Sequence, residues 1–199
     1  MRSNFLALSL IGIVLAGGAA ASDATFNANN PAPIAPLSGM ILYHSKPMHF
    51  AIAYPPHWTV NPNYADETLG PGKEIHGIAF TISAERIKGT NLSSDTSLDV
   101  LSLPGACDAS RFVDSPQDVK TVTEAGRTYS YATASDAGAG NRYEETIYAL
   151  TGTSPCLAVR YFIHYTEIGN YDPGTVKAFD RKALIKTFGR MRRSLAILK

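Results

Sequence analysis

Two long β-prone segments joined by a short reversal restrict this chain to a fold that contains antiparallel strands. The segments RYEETIYALTG and LAVRYFIHYTE are rich in Tyr, Ile, Val, Phe and Thr, which favour extended structure. The residues TSPC between them reverse the chain, and a short reversal joins strands that pair antiparallel. We therefore expect these strands to be neighbours near the centre of a sheet.

Shorter segments of alternating polarity supply the rest of this sheet. GMILYHS, HFAIAYP, IHGIAFTIS and SLDVLSLPG are strand patterns, and DVKTVTEAGRTYSYATA predicts a hairpin that turns at Glu124–Arg127. Pro55 and Pro56 end the strand HFAIAYP, because neither can donate a ladder hydrogen bond. We predict a polar loop over residues 61–74 and a glycine-rich hairpin connection over Ser135–Asn141.

The last segment, TVKAFDRKALIKTFGRMRRSLAILK, predicts a helix. Its basic end, with Arg190, Arg192 and Arg193, suits the negative end of the helix dipole, and we interpret these arginines as solvated rather than as a docking patch. The sequence thus predicts an α+β fold, with a curved, mainly antiparallel sheet of six to eight strands packed against a long C-terminal helix. Its apolar stripe recurs every three to five residues, at Phe179, Ala183, Leu184, Phe188, Met191, Leu195 and Leu198.

The N-terminal segment predicts export. It carries one cation, an apolar run from Phe5 to Leu15, and small residues at Ala19–Ala21 before a cleavage point. The run is shorter than the roughly 20 apolar residues of a membrane span, so we prefer a signal peptide to an N-terminal anchor. We predict a signal peptide over residues 1–21, a flexible tether over 22–38 and a single domain over 39–199. The location is then periplasmic or secreted, with no membrane span after signal removal.

Cysteine usage and charge agree with this location. Cys107 and Cys156 are the only cysteines and lack CxxC spacing, so in an exported protein we expect them to form a disulfide. Once Arg2 is removed with the signal, basic and acidic residues are equal in number. This balance gives no electrostatic case for binding nucleic acid or an anionic membrane.

Motifs for catalysis or for a cofactor are missing from the sequence. It has no G-x-S-x-G nucleophile elbow, and DAGAGN lacks the lysine of a phosphate-binding loop. The histidines do not follow the close spacing of zinc ligands, although His44, His49 and His57 could assemble a site in space. We therefore predict no enzyme activity, cofactor or metal, and keep a histidine-based metal-binding protein or enzyme as an alternative.

A polar face of the central strands is the predicted binding surface. If those two strands pair in the required register, Arg142, Glu144 and Tyr148 share one face with Arg160 and His164. Tyr and Arg are favoured anchors of interfaces, whereas the simpler interpretation is a solvated face with cross-strand ion pairs. The opposite set, residues 157, 159, 161, 163 and 165, should face the helix.

Trp58 is the only tryptophan and follows the double proline. We expect its indole to cap the edge of the core. It could stack on a ligand only if the ring is exposed near His57 or the 61–73 loop.

The pattern F-A-I-A-Y-P-P-x-W, followed by a sheet and a closing helix, resembles the PsbP/Mog1-like superfamily over Gly39–Lys199. The resemblance implies a non-enzymatic binding or assembly domain. We therefore predict an exported, non-catalytic protein that contacts an envelope protein or a small ligand through the polar face. An inhibitor or immunity-type protein is the other alternative, with Asn61–Lys73 or Ser135–Asn141 as the loop inserted into a toxin or hydrolase.

Overall fold

The computed structural model describes residues 38–198, which form two antiparallel sheets, a C-terminal helix and a few short helical turns. The predicted signal peptide, and the predicted tether except for Ser38, lie outside the described residues. Ten strands are formed: β1 (Ile41–Ser45), β2 (Phe50–Tyr54), β3 (Thr59–Asp66), β4 (Ile75–Thr81), β5 (Ser97–Leu103), β6 (Gln117–Glu124), β7 (Arg127–Gly138), β8 (Asn141–Leu150), β9 (Cys156–Thr166) and β10 (Ala196–Ile197). The chain also forms two helices, α1 (Ala84–Ile87) and α2 (Arg181–Ser194), and two 3₁₀ turns at Ala109–Phe112 and Ile168–Asn170.

The large sheet has the order β3-β4-β5-β9-β8-β7-β6, and the small one has the order β1-β2-β10. The α+β class is therefore confirmed, and β8 and β9 are antiparallel neighbours, with β9 at the centre of the large sheet. Among residues 38–198, no helix has the length and apolar character needed to cross a membrane.

The main core lies between α2, the small sheet and one face of the large sheet, which we name the helix face. Phe50 and Ile52 of β2 meet Phe188 of α2 there. The set predicted to face the helix does so, since Leu157, Val159, Tyr161 and Ile163 are buried in this core and Tyr165 packs against it.

The opposite side of the large sheet, which we name the back face, carries a second and smaller core at one end. Phe112 and Val113, from the segment after β5, cover Leu101, Ile147 and Ala158 there. The predicted disulfide between Cys107 and Cys156 is present and ties this covering segment to the start of β9.

Two predicted loops are shorter than the sequence suggested. Residues 61–66 extend β3, with a register shift between Asn61 and Tyr64. Pro62 is tolerated because β3 is an edge strand and the irregularity removes the need for its N–H. At 135–141, β7 runs on to Gly138, and the turn is only Ala139 and Gly140, both with positive φ as a two-residue hairpin requires.

Helix α2 is also shorter than its apolar stripe. The Asp180 side chain caps its start by accepting a hydrogen bond from Ala183 N at 2.9 Å, and the helix ends at Ser194. There Ser194 Oγ accepts a hydrogen bond from Ala53 N at 2.8 Å. Ala196 and Ile197 then form β10 and pair with β2 of the small sheet. The helix therefore does not continue through these residues.

Arg192 is buried rather than solvated, which corrects our interpretation of the basic helix end. Its guanidinium lies 3.9 Å from the ring centroid of Tyr148 and donates to the Tyr161 hydroxyl at 2.8 Å. It also pairs with Glu124 at the end of β6. Arg192 therefore pins the end of α2 to the large sheet.

We expect Arg192→Met to lower the free energy of unfolding by about 2 kcal/mol, because a desolvated cation–π contact and charged hydrogen bonds are lost together. Arg193→Met is the matched control. Arg193 shares Glu124 but its side chain is 44% exposed, so its loss should cost no more than about 1 kcal/mol. Urea denaturation of both variants measures the difference. Equal losses would show that Arg192 is no more than a surface ion pair.

Candidate functional site

Arg160, in the middle of β9, is the centre of the site. It points to the back face and is 1% exposed. A buried guanidinium requires partners, since an unpaired buried charge is strongly unfavourable. The strands on both sides of β9 supply these partners.

Three carboxylates surround the Arg160 guanidinium. Asp99 Oδ2, on β5, accepts from Arg160 Nε at 2.9 Å, and Glu145 Oε2, on β8, accepts from Nη1 at 3.2 Å. Asp66 Oδ2, at the end of β3, lies 2.7 Å from Nη1. The Tyr64 hydroxyl accepts from Nη2 at 2.6 Å.

This cluster contains three carboxyl groups and one guanidinium. Burial raises the pKa values of Asp99 and Glu145, and the charge of Arg160 opposes that effect without reversing it. Burial alone would lower the pKa of Arg160, but the carboxylates raise it, so the guanidinium stays charged. Asp99 Oδ1 is buried and has no hydrogen-bond partner among the described residues, and Asp66 Oδ2 is buried and contacts Arg160 Nη1 as an ion pair without hydrogen-bond geometry. One guanidinium thus contacts three carboxyl groups, and not every carboxylate oxygen accepts a hydrogen bond.

A cavity of about 340 Å³ lies beside this cluster, and Tyr64, Asp66 and Arg160 are among the residues that line it. We name it the acidic groove. Asp99 and Glu145 lie in the sheet around Arg160 and complete its charge environment. The lining of the groove includes Tyr64, Asp66, Asp95, Ser97, Arg160 and Phe162, together with the uncharged residues Asn61, Thr68, Ala79 and Thr81.

Aromatic rings continue the back face beside the groove. Tyr143 on β8 stacks on His164, with 4.3 Å between ring centroids, and on Phe162 at 6.3 Å. His164 Nδ1 lies 2.8 Å from both carboxylate oxygens of Asp95, whose side chain is 56% exposed. The rim of the groove is therefore acidic and aromatic.

The predicted polar face is divided between the two sides of the sheet. In the β8–β9 ladder, Arg142 lies opposite Tyr165, Glu144 opposite Ile163 and Tyr148 opposite Val159. These three β8 residues therefore share the helix face. Directly opposite residues point to the same side of a sheet, and a one-residue difference in register exchanges the faces. The connection between Leu150 and Cys156 sets the register of β8 against β9. The length of this connection alone does not predict that register.

Of the predicted binding residues, Arg160 and His164 therefore lie on the back face beside the acidic groove. Glu144 pairs with Arg181 at 2.6 Å, and Arg142 pairs with Glu167 at 2.5 Å. Trp58 is buried in the main core, edge-on to Phe188 with 5.7 Å between ring centroids.

The alternative metal site gains no support from the described residues. His44, His49 and His57 are exposed, on β1, in the β1–β2 turn and after β2. Within residues 38–198, no group of three or more His, Cys, Asp or Glu side chains is placed to hold a metal ion. The carboxylates at Arg160 surround the guanidinium, which takes the place that a cation would need.

Sequence analysis missed Asp66, Asp99 and Glu145 as partners of Arg160. A signal was present, because Asp99 interrupts the apolar strand SLDVLSL and Arg160 interrupts LAVRYFI. A charge in the middle of a buried strand indicates a buried ion pair. The partner at Asp66 had no such signal, since it lay in a segment predicted to be a loop.

We expect Asp99 to contribute a pH dependence of stability with an inverted sign. Its pKa is raised in the folded state, so its favourable contribution is fully present below the ordinary Asp pKa near 4 and is lost as pH rises through the folded value. The unfolding free energy of the wild type minus that of Asp99→Asn should therefore decrease as pH rises. Urea denaturation between pH 4 and neutrality measures it.

Asp108 is the control for this experiment. Its pKa is lowered by hydrogen bonds from Ser110, including Ser110 N at 3.0 Å from Oδ1. Its contribution is present above the ordinary Asp pKa and is lost as pH falls, so the difference for Asp108→Asn should change in the opposite direction. Parallel curves for the two variants would contradict the assignment of Asp99.

No family model and no curated protein matches this chain. A protein of known crystal structure from Bacteroides thetaiotaomicron is similar at 15% identity and a TM-score of 0.43, over 82% of this chain and 50% of that one, so this chain spans half the length of that protein. The solution structure of the cyanobacterial PsbP (CyanoP) from Synechocystis is similar at 12% identity and a TM-score of 0.41, over 84% of this chain and 98% of that one. Both similarities are weak in identity and in TM-score.

Proposed function

We propose that this protein is an exported, non-catalytic binding protein of the bacterial envelope, and that its acidic groove takes a basic side chain of a partner protein. The observation that carries the proposal is the excess of carboxyl groups over cations at Arg160, in a cluster whose Asp66 and Arg160 line the groove. A partner's Lys or Arg supplies the positive charge that the cluster lacks.

The groove suits a cationic group in two further ways. Asp66 lines the groove and brings a carboxylate to its wall. The aromatic rings of Tyr64 and Phe162 border the groove, and aromatic faces attract guanidinium and ammonium groups. Exposed Asp95 at the rim adds attraction at long range.

Binding rather than catalysis is favoured by the position of the charged groups. Asp99 and Glu145 are held in fixed hydrogen bonds by the Arg160 guanidinium, which leaves little freedom for proton transfer to a substrate. For the location, support comes from the Cys107–Cys156 disulfide, because such bonds persist in oxidising compartments such as the periplasm.

The test uses ¹⁵N-labelled protein of residues 22–199 and two probes of matched shape, N-acetyl-arginine amide and its neutral citrulline counterpart. We expect the arginine probe to shift the amide resonances of Asp95, Ser97 and Phe162, and the citrulline probe to leave them unchanged. Asp95→Asn should weaken the response to arginine several-fold, since it removes a rim charge. Added salt should weaken it as well.

Asp118→Asn is the matched control, because Asp118 is an exposed acid on β6, at the opposite edge of the same sheet from β3. It should leave the response unchanged. Equal shifts with both probes, or a response that Asp95→Asn does not alter, would contradict a cation-binding groove.

A further inference from the structure

A cleft beside helix α2 lies on the helix side of the large sheet, away from the acidic groove. Its volume is about 390 Å³, within the range of roughly 300–1,000 Å³ typical of small-molecule sites. Four residues of the main core form its floor, namely Met40, Trp58, Leu92 and Leu184.

These four residues mark the place where the main core reaches solvent. Each of them is 7% or 8% exposed, whereas every other buried member of that core is 4% exposed or less. The remaining exposure of the core is thus concentrated in one cleft. An apolar ligand that covered this floor would be favoured in proportion to the area it removes from water.

The rim of the cleft is basic. Arg86 lies on it and forms no ion pair with any residue in 38–198. Arg190 uses Nη2 to donate to Ser38 O at 2.9 Å, which leaves its other N–H groups available. The one acid of the rim, Asp180, is engaged as the cap of α2. The rim therefore complements an anion, and the floor complements an apolar body.

We propose that this cleft binds a small amphipathic carboxylate, a medium-chain fatty acid, with its chain on the Trp58 floor and its carboxylate at Arg86 and Arg190. Guanidinium groups bind carboxylates through short, charge-assisted hydrogen bonds. The site is independent of the proposed function, because it uses other residues on the other side of the sheet.

Tryptophan fluorescence tests this site directly, since Trp58 is the only tryptophan of the chain. Protein of residues 22–199 is titrated with sodium octanoate and, in parallel, with 1-octanol, which lacks the charge. We expect a saturable change in Trp58 fluorescence with octanoate, and an apparent affinity for 1-octanol that is weaker by about tenfold or more, as loss of charged hydrogen bonds implies.

Three variants separate the contributions of the rim and the floor. Arg86→Gln combined with Arg190→Gln should weaken octanoate binding by about tenfold and leave the 1-octanol response unchanged. Ala183→Phe adds a side chain at an exposed helix position that lines the cleft, and should remove both responses. Lys182→Gln, on the same helix but outside the cleft, should change neither.

The absence of a saturable fluorescence change with octanoate overturns the proposal. So does a titration of the Ala183→Phe variant that matches the wild type, because the ligand would then bind elsewhere. Circular dichroism of each variant confirms that the fold is intact before titration. None of these results depends on the acidic groove. The proposal of a carboxylate site in the cleft is therefore tested independently of the proposed function.

Discussion

Arg160→Met is expected to destabilise the protein by about 3–5 kcal/mol, the cost of removing one partner from a buried ion pair. The change leaves Asp66, Asp99 and Glu145 buried without their counter-charge. A domain of ordinary stability has only about 5–15 kcal/mol to lose, so the variant should unfold at a much lower urea concentration. Urea denaturation at neutral pH measures the shift.

A combined variant keeps this prediction testable if Arg160→Met does not fold. Adding Asp66→Asn, Asp99→Asn and Glu145→Gln removes the uncompensated charges, and we expect most of the lost stability to return. Arg142→Gln is the control, because the Arg142 pair with Glu167 is exposed and should contribute little. A fully stable Arg160→Met, or a combined variant no more stable than the single one, would show that the charges are not coupled.

Loss of the disulfide is expected to have an effect of similar size. Cys107 and Cys156 are 49 residues apart, and in the chain-entropy model a loop of this length is worth about 4 kcal/mol. Cys107→Ser with Cys156→Ser should therefore lower the free energy of unfolding by about that amount. Urea denaturation with and without reductant checks it, since the reductant should act on the wild type and have no effect on the variant.

The location of the disulfide adds a local expectation. Cys107 belongs to the segment between β5 and β6 that carries Phe112 and Val113 over the second core. Without the bond, amide hydrogen exchange should accelerate first in residues 104–116. Exchange that accelerates equally throughout the large sheet would mean that the bond stabilises the whole domain and not this covering segment.

Much of the fold was predictable because its signals are local. The strands, the hairpin at Glu124–Arg127 and the helix were predicted from alternation, turn residues and apolar spacing. The errors arose where pairing with a distant strand decides the secondary structure of a residue. Pro62 was predicted to lie in a loop, but it lies in edge strand β3. Ala196 was predicted to lie in the helix, but it pairs with β2.

The candidate site was predictable only in part. Arg160 and His164 were identified from composition and alternation, but the face that they share depends on a register set by the β8–β9 connection. The partners of Arg160 come from three other strands, and its contact with Asp99 spans 61 residues of sequence. Spatial neighbours so far apart leave no pattern that a single sequence reveals.

Pairing of β10 with β2 has a consequence for the order in which this protein is made and folded. The small sheet joins β2 to β10, and the hydrogen bond from Ala53 N to Ser194 Oγ spans 141 residues. During synthesis, β2 emerges long before the residues that complete its sheet. The main core therefore closes only after the residues from β2 to β10 have all left the ribosome, and its folding follows the synthesis of that segment instead of accompanying it.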